Sequence, residues 1–378
     1  MRYLKNRIAG IALGSAAVGG LALAGAANAS AATPPGGGRV LGYVYTSTNS
    51  TAGNQVEVFA RKADGTLALA GTYNTGGAGN GVNGLSQGAV TLSPDQRTLL
   101  VVDGGSDQVS DFAVLPGGAL RLRNVVASGG TAPTSVAING GLAEVLNSGG
   151  LNAEGPMNVT GLRATGSGLA PIAGGSQPLS SGASGPTDVV ISPGSTRVAV
   201  AETLSNTIDT FAVGQGGTLA PAVTSAPDAP SAFAELFTPA GRLLVADFGS
   251  ADNSALSSYR VAPSGVLNAT QAPVSDGQNE GCWIVKSASG DAFVVNSSSD
   301  TVSSYHVSAS GQVTFLRNTG VATGATPVDE ALSSDGRNLY VLNGNQDELT
   351  EFSAGSGARL TAIGTQALPT QSLGLAAS

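Results

Sequence analysis

The feature that most constrains the fold is a unit of 43 to 53 residues that recurs along most of the chain. Three copies are GAVTLSPDQRTLLVVDGGSDQVSDFAVLPGGAL (88–120), TDVVISPGSTRVAVAETLSNTIDTFAVGQGGTL (187–219) and VDEALSSDGRNLYVLNGNQDELTEFSAGSGARL (328–360). Each copy predicts an apolar strand, a tight turn, and a second apolar strand that ends in Asp, Glu or Asn. A polar loop, an alternating strand, a Gly-containing turn and a last strand follow. Because such units bury their apolar faces only against their neighbours, the repeat determines the architecture.

Alignment of the copies gives equivalent positions in the first and third strands. The first-strand positions are Val90, Val136, Val189, Glu235, Ile284, Glu330 and Leu373. The third strands end on Phe59, Phe112, Phe211, Tyr259, Tyr305 and Phe352, with Leu162 in one degenerate copy. A four-stranded unit of about 40–50 residues that is repeated radially is a β-propeller blade. We therefore predict an all-β, seven-bladed β-propeller with four-stranded blades.

The two ends of the chain each supply part of one blade. VLGYVYTSTN (40–49) reads as a second strand without a first, and SLGLAAS (372–378) reads as a first strand without the rest. We expect the C-terminal strand (372–378) to join the N-terminal blade, with Leu373 and Leu375 in the inner strand. Closure of this kind removes the open sheet edges that promote aggregation.

The first 29 residues have the pattern of a secretory signal peptide. Arg2, Lys5 and Arg7 precede an apolar run (8–27), and Ala27 and Ala29 suit a cleavage site. A retained membrane anchor is the alternative, although the run is rich in Gly and Ala and leads into the linker-like SAATPPGGG. We expect a signal peptide at 1–29, a flexible linker at 30–39 and a single propeller domain at 40–378. The mature chain would then be secreted, with no membrane span.

The charge of the chain limits its partners. It has 25 acidic and 17 basic residues, a net charge of −8, and loss of the signal peptide would make it more acidic. This balance does not favour nucleic acid or an anionic membrane as a partner. Cys282 is the only cysteine, which excludes an internal disulfide. We expect a monomer whose partner is a small-molecule ligand or an extracellular protein.

The blade pattern, S-P-D-x-R, then L-x-V-x-(N/D), then an aromatic strand end and G-x-L, resembles the seven-bladed lactonase-type propellers. These include 6-phosphogluconolactonase and the carboxymuconate cyclases, and the pattern is similar also to the YVTN-repeat propellers of surface layers. The resemblance covers residues 40–378. It implies a site at one mouth of the central channel, where His, Arg and Glu side chains handle an anionic lactone or carboxylate.

This sequence departs from what the resemblance implies. Its only histidine, His306, lies on the outer part of a third strand. Arg97, Arg197, Arg242 and Arg337 follow the turns between first and second strands, on the face opposite the implied site. An anion clamp needs guanidinium groups that converge, and we expect none here.

Acids and amides collect instead on the face where second strands end and first strands begin. The second-strand ends carry Thr46, Asp103, Asn147, Glu202, Asp247, Asn296 and Asn343. Such residues cap turns, which is one interpretation, and contact with a ligand at the channel mouth is the other. Loops such as DGGSD and NSSSD contain many oxygen donors but lack the spacing of a calcium loop. We therefore expect no metal and no cofactor.

The acids of the first strands are the catalytic candidates. Glu330, Asp188 and Glu235 could do acid–base work if burial raised one pKa, with Trp283 and Asp329 as contacts to the substrate. Neighbours in a strand point to opposite faces, so Asp329 and Glu330 are not themselves a pair. A solvated channel-lining role is the alternative for each acid, and a core position is the alternative for Trp283. The sequence leaves open whether Glu330 meets Glu235 or Asp188.

Two functions are consistent with these patterns. The first is an exported lactonase-like hydrolase that acts on a small lactone or sugar-acid ester at the channel mouth. The second is a non-catalytic propeller that serves as a ligand- or protein-binding surface scaffold.

Overall fold

The computed structural model describes residues 38–83, 86–150, 155–322 and 325–378. The expected signal peptide and residues 30–37 of the expected linker lie outside these ranges. Within them the chain forms 29 β-strands and one 3-10 turn, Gln215–Gly217, with the strands arranged in seven antiparallel sheets. No helix of the described ranges is long and apolar enough to cross a membrane.

The blades are numbered from the N terminus, so that the shared blade is blade 1. Blade 1 contains β1 (Val40–Ser47), β2 (Gln55–Lys62), β3 (Leu67–Asn74) and β29 (Leu373–Ala377). Blade 2 contains β4 (Val90–Leu92), β5 (Thr98–Asp103), β6 (Gln108–Val114) and β7 (Leu120–Ala127). Blade 3 contains β8 (Pro133–Asn139), β9 (Leu142–Asn147), β10 (Asn158–Thr165) and β11 (Gly168–Pro178). Blade 4 contains β12 (Pro186–Ile191), β13 (Arg197–Glu202), β14 (Thr207–Ala212) and β15 (Val223–Ser225).

The remaining blades follow the same plan. Blade 5 contains β16 (Ala232–Phe237), β17 (Arg242–Asp247), β18 (Ala255–Val261), β19 (Leu267–Ala269) and β20 (Val274–Ser275). Blade 6 contains β21 (Gly281–Lys286), β22 (Asp291–Asn296), β23 (Thr301–Val307) and β24 (Val313–Gly320). Blade 7 contains β25 (Pro327–Leu332), β26 (Asn338–Asn343), β27 (Glu348–Gly355) and β28 (Arg359–Ala367).

Each sheet places its four main strands in sequence order from the channel to the rim. The order is β4-β5-β6-β7 in blade 2 and β25-β26-β27-β28 in blade 7, and blade 5 adds β20 beside β18. Blade 1 has the order β29-β1-β2-β3, so the last strand of the chain is the inner strand of the first blade. The predicted seven-bladed all-β fold is confirmed.

The hydrophobic core lies between neighbouring blades. The third-strand aromatic residues are buried, and each pairs with its second strand at one register, as Phe112 does with Leu99 and Phe211 with Val198. Phe211 of blade 4 belongs to a core cluster with Leu146 and Val159 of blade 3. Since each junction is filled from both sides, a blade depends on both of its neighbours.

A β-bulge positions one residue of the inner strand in five blades. The register shifts between Pro133 and Ser135, Pro186 and Asp188, Ala232 and Ala234, Gly281 and Trp283, and Pro327 and Asp329. An extra residue re-aims the side chain that follows it. Asp188 and Asp329 therefore occupy one structural position in different blades, where the other three carry Ser, Ala and Trp.

The ring is closed by β29, which pairs with β1 through Tyr45 with Ala376 and Thr46 with Leu375. The closure was predicted correctly, but the alignment of blade 1 was wrong by two residues. The second-strand residue that pairs with the aromatic position is Val44 in blade 1 and Leu99 in blade 2. Two residues further along, Thr46 pairs with Leu375 and Val101 pairs with Val90, so Leu375 is the equivalent of Val90. By the same count, Thr48 is the equivalent of Asp103. The error arose because β29 is short and has a bulge at Gly374, and because a shift by two keeps every side chain on the same face.

A buried arginine fixes the closed ring. Arg61 is 2% exposed, and its Nη1 donates to Asp335 Oδ2 at 3.1 Å and to Asn338 Oδ1 at 3.2 Å in blade 7. Its Nη2 donates to the carbonyl oxygen of the C-terminal residue Ser378 at 3.4 Å. The same guanidinium thus contacts blade 7 and the end of β29 from its place in β2.

Deletion of residues 372–378 should lower the melting temperature sharply. The deletion exposes the edge of β1 and removes the buried side chains of Leu373 and Leu375, each worth about 2–5 kcal/mol. That loss is comparable to the total stability of a typical domain, about 5–15 kcal/mol. Val266→Ala, at an exposed apolar residue, is the control and should change stability by less than about 0.5 kcal/mol. A truncated protein that melts with the wild type in calorimetry would contradict the closure.

Candidate functional site

The acids and amides at the second-strand ends are buried inside the blades. In four blades they bond a hydroxyl at one fixed position of the third strand. The bonds are Ser110 Oγ to Asp103 (2.6 Å), Ser257 Oγ to Asp247 (2.5 Å), Asn296 Nδ2 to Ser303 Oγ (2.7 Å) and Asn343 Nδ2 to Thr350 Oγ1 (2.8 Å). These side chains therefore hold second and third strands together, and they do not form an accessible rim for a ligand.

Asp and Asn side chains in the loops that follow the second strands join three blades to the next blade. Asp107, Asn206 and Asp300 adopt left-handed backbone angles and accept hydrogen bonds from the amides of Ala132, Ser231 and Thr326. Asp and Asn suit such turns because they tolerate a positive φ and cap amides with their side chains. The abundance of acids on this face thus has a structural basis in the repeat.

Blade 4 departs from the pattern because two acids replace the usual acid and hydroxyl. Glu202 ends β13, and Asp209 stands at the third-strand position that carries Ser or Thr in the four blades above. Asp209 is held by the Ser180 amide at 2.7 Å and by Thr224 Oγ1 at 2.6 Å. Burial first, and then the hydrogen bond to Asp209, raise the pKa of Glu202 to about 8.

Asp188 and Glu235 meet beside this pair, and we call Asp188, Glu202, Asp209 and Glu235 the acid cluster. Asp188 Oδ2 accepts from the Glu235 amide at 2.8 Å, and its Oδ1 accepts from Ser135 Oγ at 3.2 Å, so this carboxyl links blades 3, 4 and 5. Burial raises the pKa of Asp188 to about 7 although those hydrogen bonds oppose the rise. Burial, followed by repulsion from the other three acids, raises the pKa of Glu235 well above its ordinary value.

Asp329 and Glu330 belong to the inner strand of blade 7, and burial, helped by Asp188 of the acid cluster, raises the pKa of Asp329. Their carboxyl groups point in different directions, that of Asp329 towards blade 1 and that of Glu330 towards blade 6. Asp329 accepts from the Glu330 amide at 2.8 Å and from the Leu375 amide of blade 1 at 2.9 Å. Both carboxyl oxygens of Glu330 are buried, and no side chain among the described residues bonds them. Burial, and then Asp329, raise the pKa of Glu330 well above its ordinary value, and the amides of Val285 and Val295 in blade 6 oppose this only in part.

These contacts answer the question of which acids meet. Asp188 and Glu235 are brought together with Glu202, whereas Glu330 joins neither Asp188 nor Glu235. The expected set of three catalytic acids is thus divided between the acid cluster and the wall of blade 7. Besides burial, it is the sequence neighbour Asp329 that helps to raise the pKa of Glu330.

A cavity of about 250 Å³ occupies the channel. Its lining comes from the inner strands β4, β21, β25 and β29 and from Gln87 and Gly88, and it includes Asp329 and Glu330. Among the described residues that line it, none is Lys, Arg or His. The described part of the wall thus contains two buried acids, polar groups such as Gln87 and apolar side chains, and no cation.

Residues 86–88 cross one end of this cavity, which the sequence had not indicated. The Gln87 amide donates to the Thr187 carbonyl at 3.1 Å, and Gln87 Oε1 accepts from the Ile284 amide at 2.8 Å. Ser86 accepts from the indole Nε1 of Trp283 at 2.8 Å. The segment is thereby held by blades 4 and 6. Its Gly-rich, polar sequence was the only signal, and it resembles an ordinary connection between blades.

Trp283 is part of the core. Its ring is 1% exposed and packs edge-on against Phe233, with 4.9 Å between ring centroids and an interplanar angle of 62°. The expected stacking platform therefore has no open face, and the alternative reading as a core residue describes its position. The reason is the bulge before Trp283, which turns the ring towards the blade junction.

The histidine and the cysteine of the chain lie outside the channel cavity. His306 is an exposed strand residue whose Nδ1 lies 3.6 Å from Asp291 Oδ1, as predicted. Cys282 is buried, and burial raises the pKa of its thiol, so it is not an activated nucleophile. In the described ranges no group of His, Cys, Asp and Glu is arranged to hold a metal ion.

The fold and its channel define a seven-bladed β-propeller closed by its last strand. The family model "Lactonase, 7-bladed beta-propeller" matches residues 43–146, from β1 to β9. The sequence match thus lies within the first three blades, where the chain is similar to lactonase-type propellers.

Solved propellers share the fold over nearly the whole chain. A putative 6-phosphogluconolactonase from Bacteroides fragilis matches with a TM-score of 0.68 and 17% identity, over 89% of this chain and 98% of that chain. The periplasmic gluconolactonase of Pseudomonas aeruginosa matches with a TM-score of 0.68 and 19% identity, over 88% and 98%. A protein from Lactobacillus plantarum gives 0.69 and 17%, over 90% and 100%. At these identities the likeness establishes the fold alone. No curated protein sequence matches significantly.

The stability of the protein should fall as the pH rises from about 4 to about 8. Asp188, Glu202 and Asp247 have folded-state pKa values of about 7, 8 and 8, whereas unfolded carboxyls titrate near 4. The folded state therefore holds more protons in this window, so its advantage is complete below about pH 4 and is lost as these groups ionise. Melting temperatures measured across this range should decline.

Glu202→Gln should reduce that decline because it removes one of the raised pKa values. Asp95→Asn is the control: Asp95 is exposed, and its pKa is lowered by a hydrogen bond from Ser93. This variant should keep the wild-type slope between pH 5 and 8. Melting temperatures that rise with pH in the wild type would show that the buried acids are ionised in the folded state.

Proposed function

We propose that the protein is an exported, monomeric lactonase-type hydrolase that opens a small uncharged lactone in the channel cavity, with Glu330 as the catalytic residue. The observation that carries the proposal is Glu330, which belongs to the cavity wall and whose buried carboxyl is bonded by no side chain among the described residues, with only the backbone amides of Val285 and Val295 acting on it. A buried polar group without a side-chain partner costs free energy, and such groups occur where a ligand or reaction uses them. The match of residues 43–146 to the lactonase family model suggests the reaction class.

The lining of the cavity selects against anionic substrates. Two carboxyl groups and no cation border it in the described residues, so a phosphorylated sugar lactone would be repelled. Its volume of about 250 Å³ suits a small cyclic ester. This distinguishes the proposed substrate from the one in the name of the Bacteroides fragilis protein, and it leaves uncharged lactones as the class to test.

One carboxyl is sufficient for the hydrolysis. Ionised Glu330 removes a proton from water, the hydroxide adds to the lactone carbonyl, and the ring carbon–oxygen bond breaks. The leaving alkoxide then takes the proton from Glu330, so that lactone and water give the hydroxy acid and the carboxylate is restored. Asp329 acts as a positioning residue, since its hydrogen bonds to the Glu330 and Leu375 amides fix the strand that carries Glu330.

Export of the protein is supported by its N-terminal sequence. The basic start, the apolar run and the Ala-x-Ala site at 27–29 have the order of a secretory signal. The absence of cysteine pairs does not oppose this, because closure of the ring supplies the stability that disulfides give smaller secreted domains.

Glu330→Gln should reduce kcat/KM for uncharged lactones by at least about 100-fold, as expected for loss of a general base. δ-Valerolactone and glucono-δ-lactone are the test substrates, and 6-phosphogluconolactone should not be turned over. Glu144→Gln is the matched control, because Glu144 is equally buried and likewise bonded by no described side chain but lies in β9 away from the cavity. Since the pKa of Glu330 is raised and its ionised form is the base, wild-type activity should increase with pH.

A non-catalytic binding propeller is the second candidate. It is favoured by the burial of Asp188, Glu202 and Glu235 and by the segment 86–88, which covers one end of the channel. Absence of turnover by the wild type on every lactone tested would reject the hydrolase and support this reading. Equal losses in Glu330→Gln and Glu144→Gln would reject Glu330 as the base.

A further inference from the structure

A second cavity lies between blades 2 and 3, beside the turns that join their first and second strands. It has a volume of about 660 Å³ and is bordered by the turn Ser93–Thr98 and Arg123 on one side and by blade 3 on the other. We call it the blade 2–3 groove. It shares no lining residue with the channel cavity and takes no part in the hydrolysis proposed above.

The groove exists because two turns of blade 3 are shortened. The first turn encloses six residues in blades 2, 4 and 7, as between Leu92 and Leu99, but only four between Ile138 and Ala143. The turn between third and fourth strands encloses five residues in blades 2, 5 and 6 but four between Ala164 and Leu169. The degenerate blade thus lacks the chain that occupies this place in its neighbours.

Other junctions show what fills the equivalent space. At the junction of blades 4 and 5, the Arg197 guanidinium donates to the carbonyl oxygens of Ala262 and Pro263 in the third-to-fourth-strand turn. At the junction of blades 7 and 1, Tyr340 donates to the Gly65 carbonyl at 2.8 Å. Each of these two junctions therefore pairs a donor of one blade with a backbone carbonyl oxygen of the next.

Blade 2 supplies arginines to the groove, where the corresponding turn of blade 3 is the shortened one. Arg97 borders the groove and is exposed, and its charge acts on Asp95, whose pKa is lowered mainly by Ser93. Arg123 is held through Nη1 by Asp111 at 2.8 Å and by Thr98 at 3.0 Å, while its Nε is buried without a partner in the described structure. Arg97 thus lies next to the blade position of Arg197, but no hydrogen bond joins its guanidinium to a carbonyl oxygen of blade 3 in the described residues.

We propose that the blade 2–3 groove is a binding site for a small organic carboxylate. The carboxylate would take the place of the missing carbonyl oxygens and accept from Arg97, since a guanidinium fork fits a carboxylate with two parallel hydrogen bonds. Asp95 does not block the site, because its carboxylate is bonded to Ser93 Oγ and to the Arg97 amide within its own turn. The volume lies within the range of about 300–1,000 Å³ that is usual for small-molecule sites.

Glycines on the blade 3 side allow a direct test. A side chain at Gly166 would meet no atom within 4 Å, and Gly166 has no positive φ, so Gly166→Trp should fold normally and fill the groove. Gly182→Trp is the matched control, because Gly182 has the same freedom but lies outside the groove. Arg97→Gln removes the donor while keeping a polar side chain.

Citrate is the probe, measured by isothermal titration calorimetry on the mature protein at neutral pH. We expect a dissociation constant below about 1 mM for the wild type and Gly182→Trp, at least a 10-fold weakening in Arg97→Gln, and no binding in Gly166→Trp. Glu330→Gln should bind citrate normally, which separates this site from the channel. The proposal is overturned if citrate does not bind, if Arg97→Gln or Gly166→Trp binds like the wild type, or if inorganic phosphate binds as tightly as citrate.

Discussion

The pairing of β29 with β1 is the contact on which the rest of the structure depends. A propeller blade cannot bury its faces alone, and a ring that lacks one inner strand exposes a sheet edge and a blade junction together. Arg61 strengthens this point of closure by contacting blade 7 and the C-terminal residue at the same time. The closing strand also belongs to the candidate site, because Leu375 donates its amide to Asp329 and borders the channel cavity. Fold closure and site geometry therefore rest on the same few residues.

The acids of this protein owe their unusual pKa values to burial. In most blades an acid or amide at the end of the second strand bonds a hydroxyl of the third strand, which satisfies the buried group. Blade 4 replaces that hydroxyl with Asp209 and adds Asp188 and Glu235 next to it. Carboxyls at such short range cannot all ionise in a dry interior, so protons are retained near neutral pH. The acid cluster is accordingly expected to affect stability, whereas Glu330 belongs to the wall of the channel cavity.

The sequence predicted the fold well because the repeat encodes it directly. Turn residues, apolar strands and the aromatic positions recur in the same order, and pairing registers such as Phe112 with Leu99 follow from that order. The alignment of blade 1 was misplaced because β29 is a short strand with a glycine bulge, in which alternation alone cannot tell Leu373 from Leu375.

The candidate site was predicted less well, because it depends on the directions in which side chains point, and the sequence pattern does not determine these. After the β-bulge in its strand, Trp283 packs in the junction between two blades. After the bulge in blade 4, the carboxyl of Asp188 accepts from the amide of Glu235 in blade 5. The crossing of the channel by residues 86–88 depends on long-range bonds to Thr187 and Ile284, and no local motif marks such contacts. The sequence shows how many acids the inner strands carry. Only the structure shows that Glu330 and Glu235 lie in different parts of the propeller.

The most direct test of the channel as the functional site is a crystal structure of the protein with δ-valerolactam, a cyclic amide that resembles a lactone but resists hydrolysis. The account predicts density for the ring inside the channel cavity, with a polar atom of the lactam about 3 Å from a carboxyl oxygen of Glu330. A fully occupied lactam elsewhere on the propeller, with the cavity empty of it, would contradict the account.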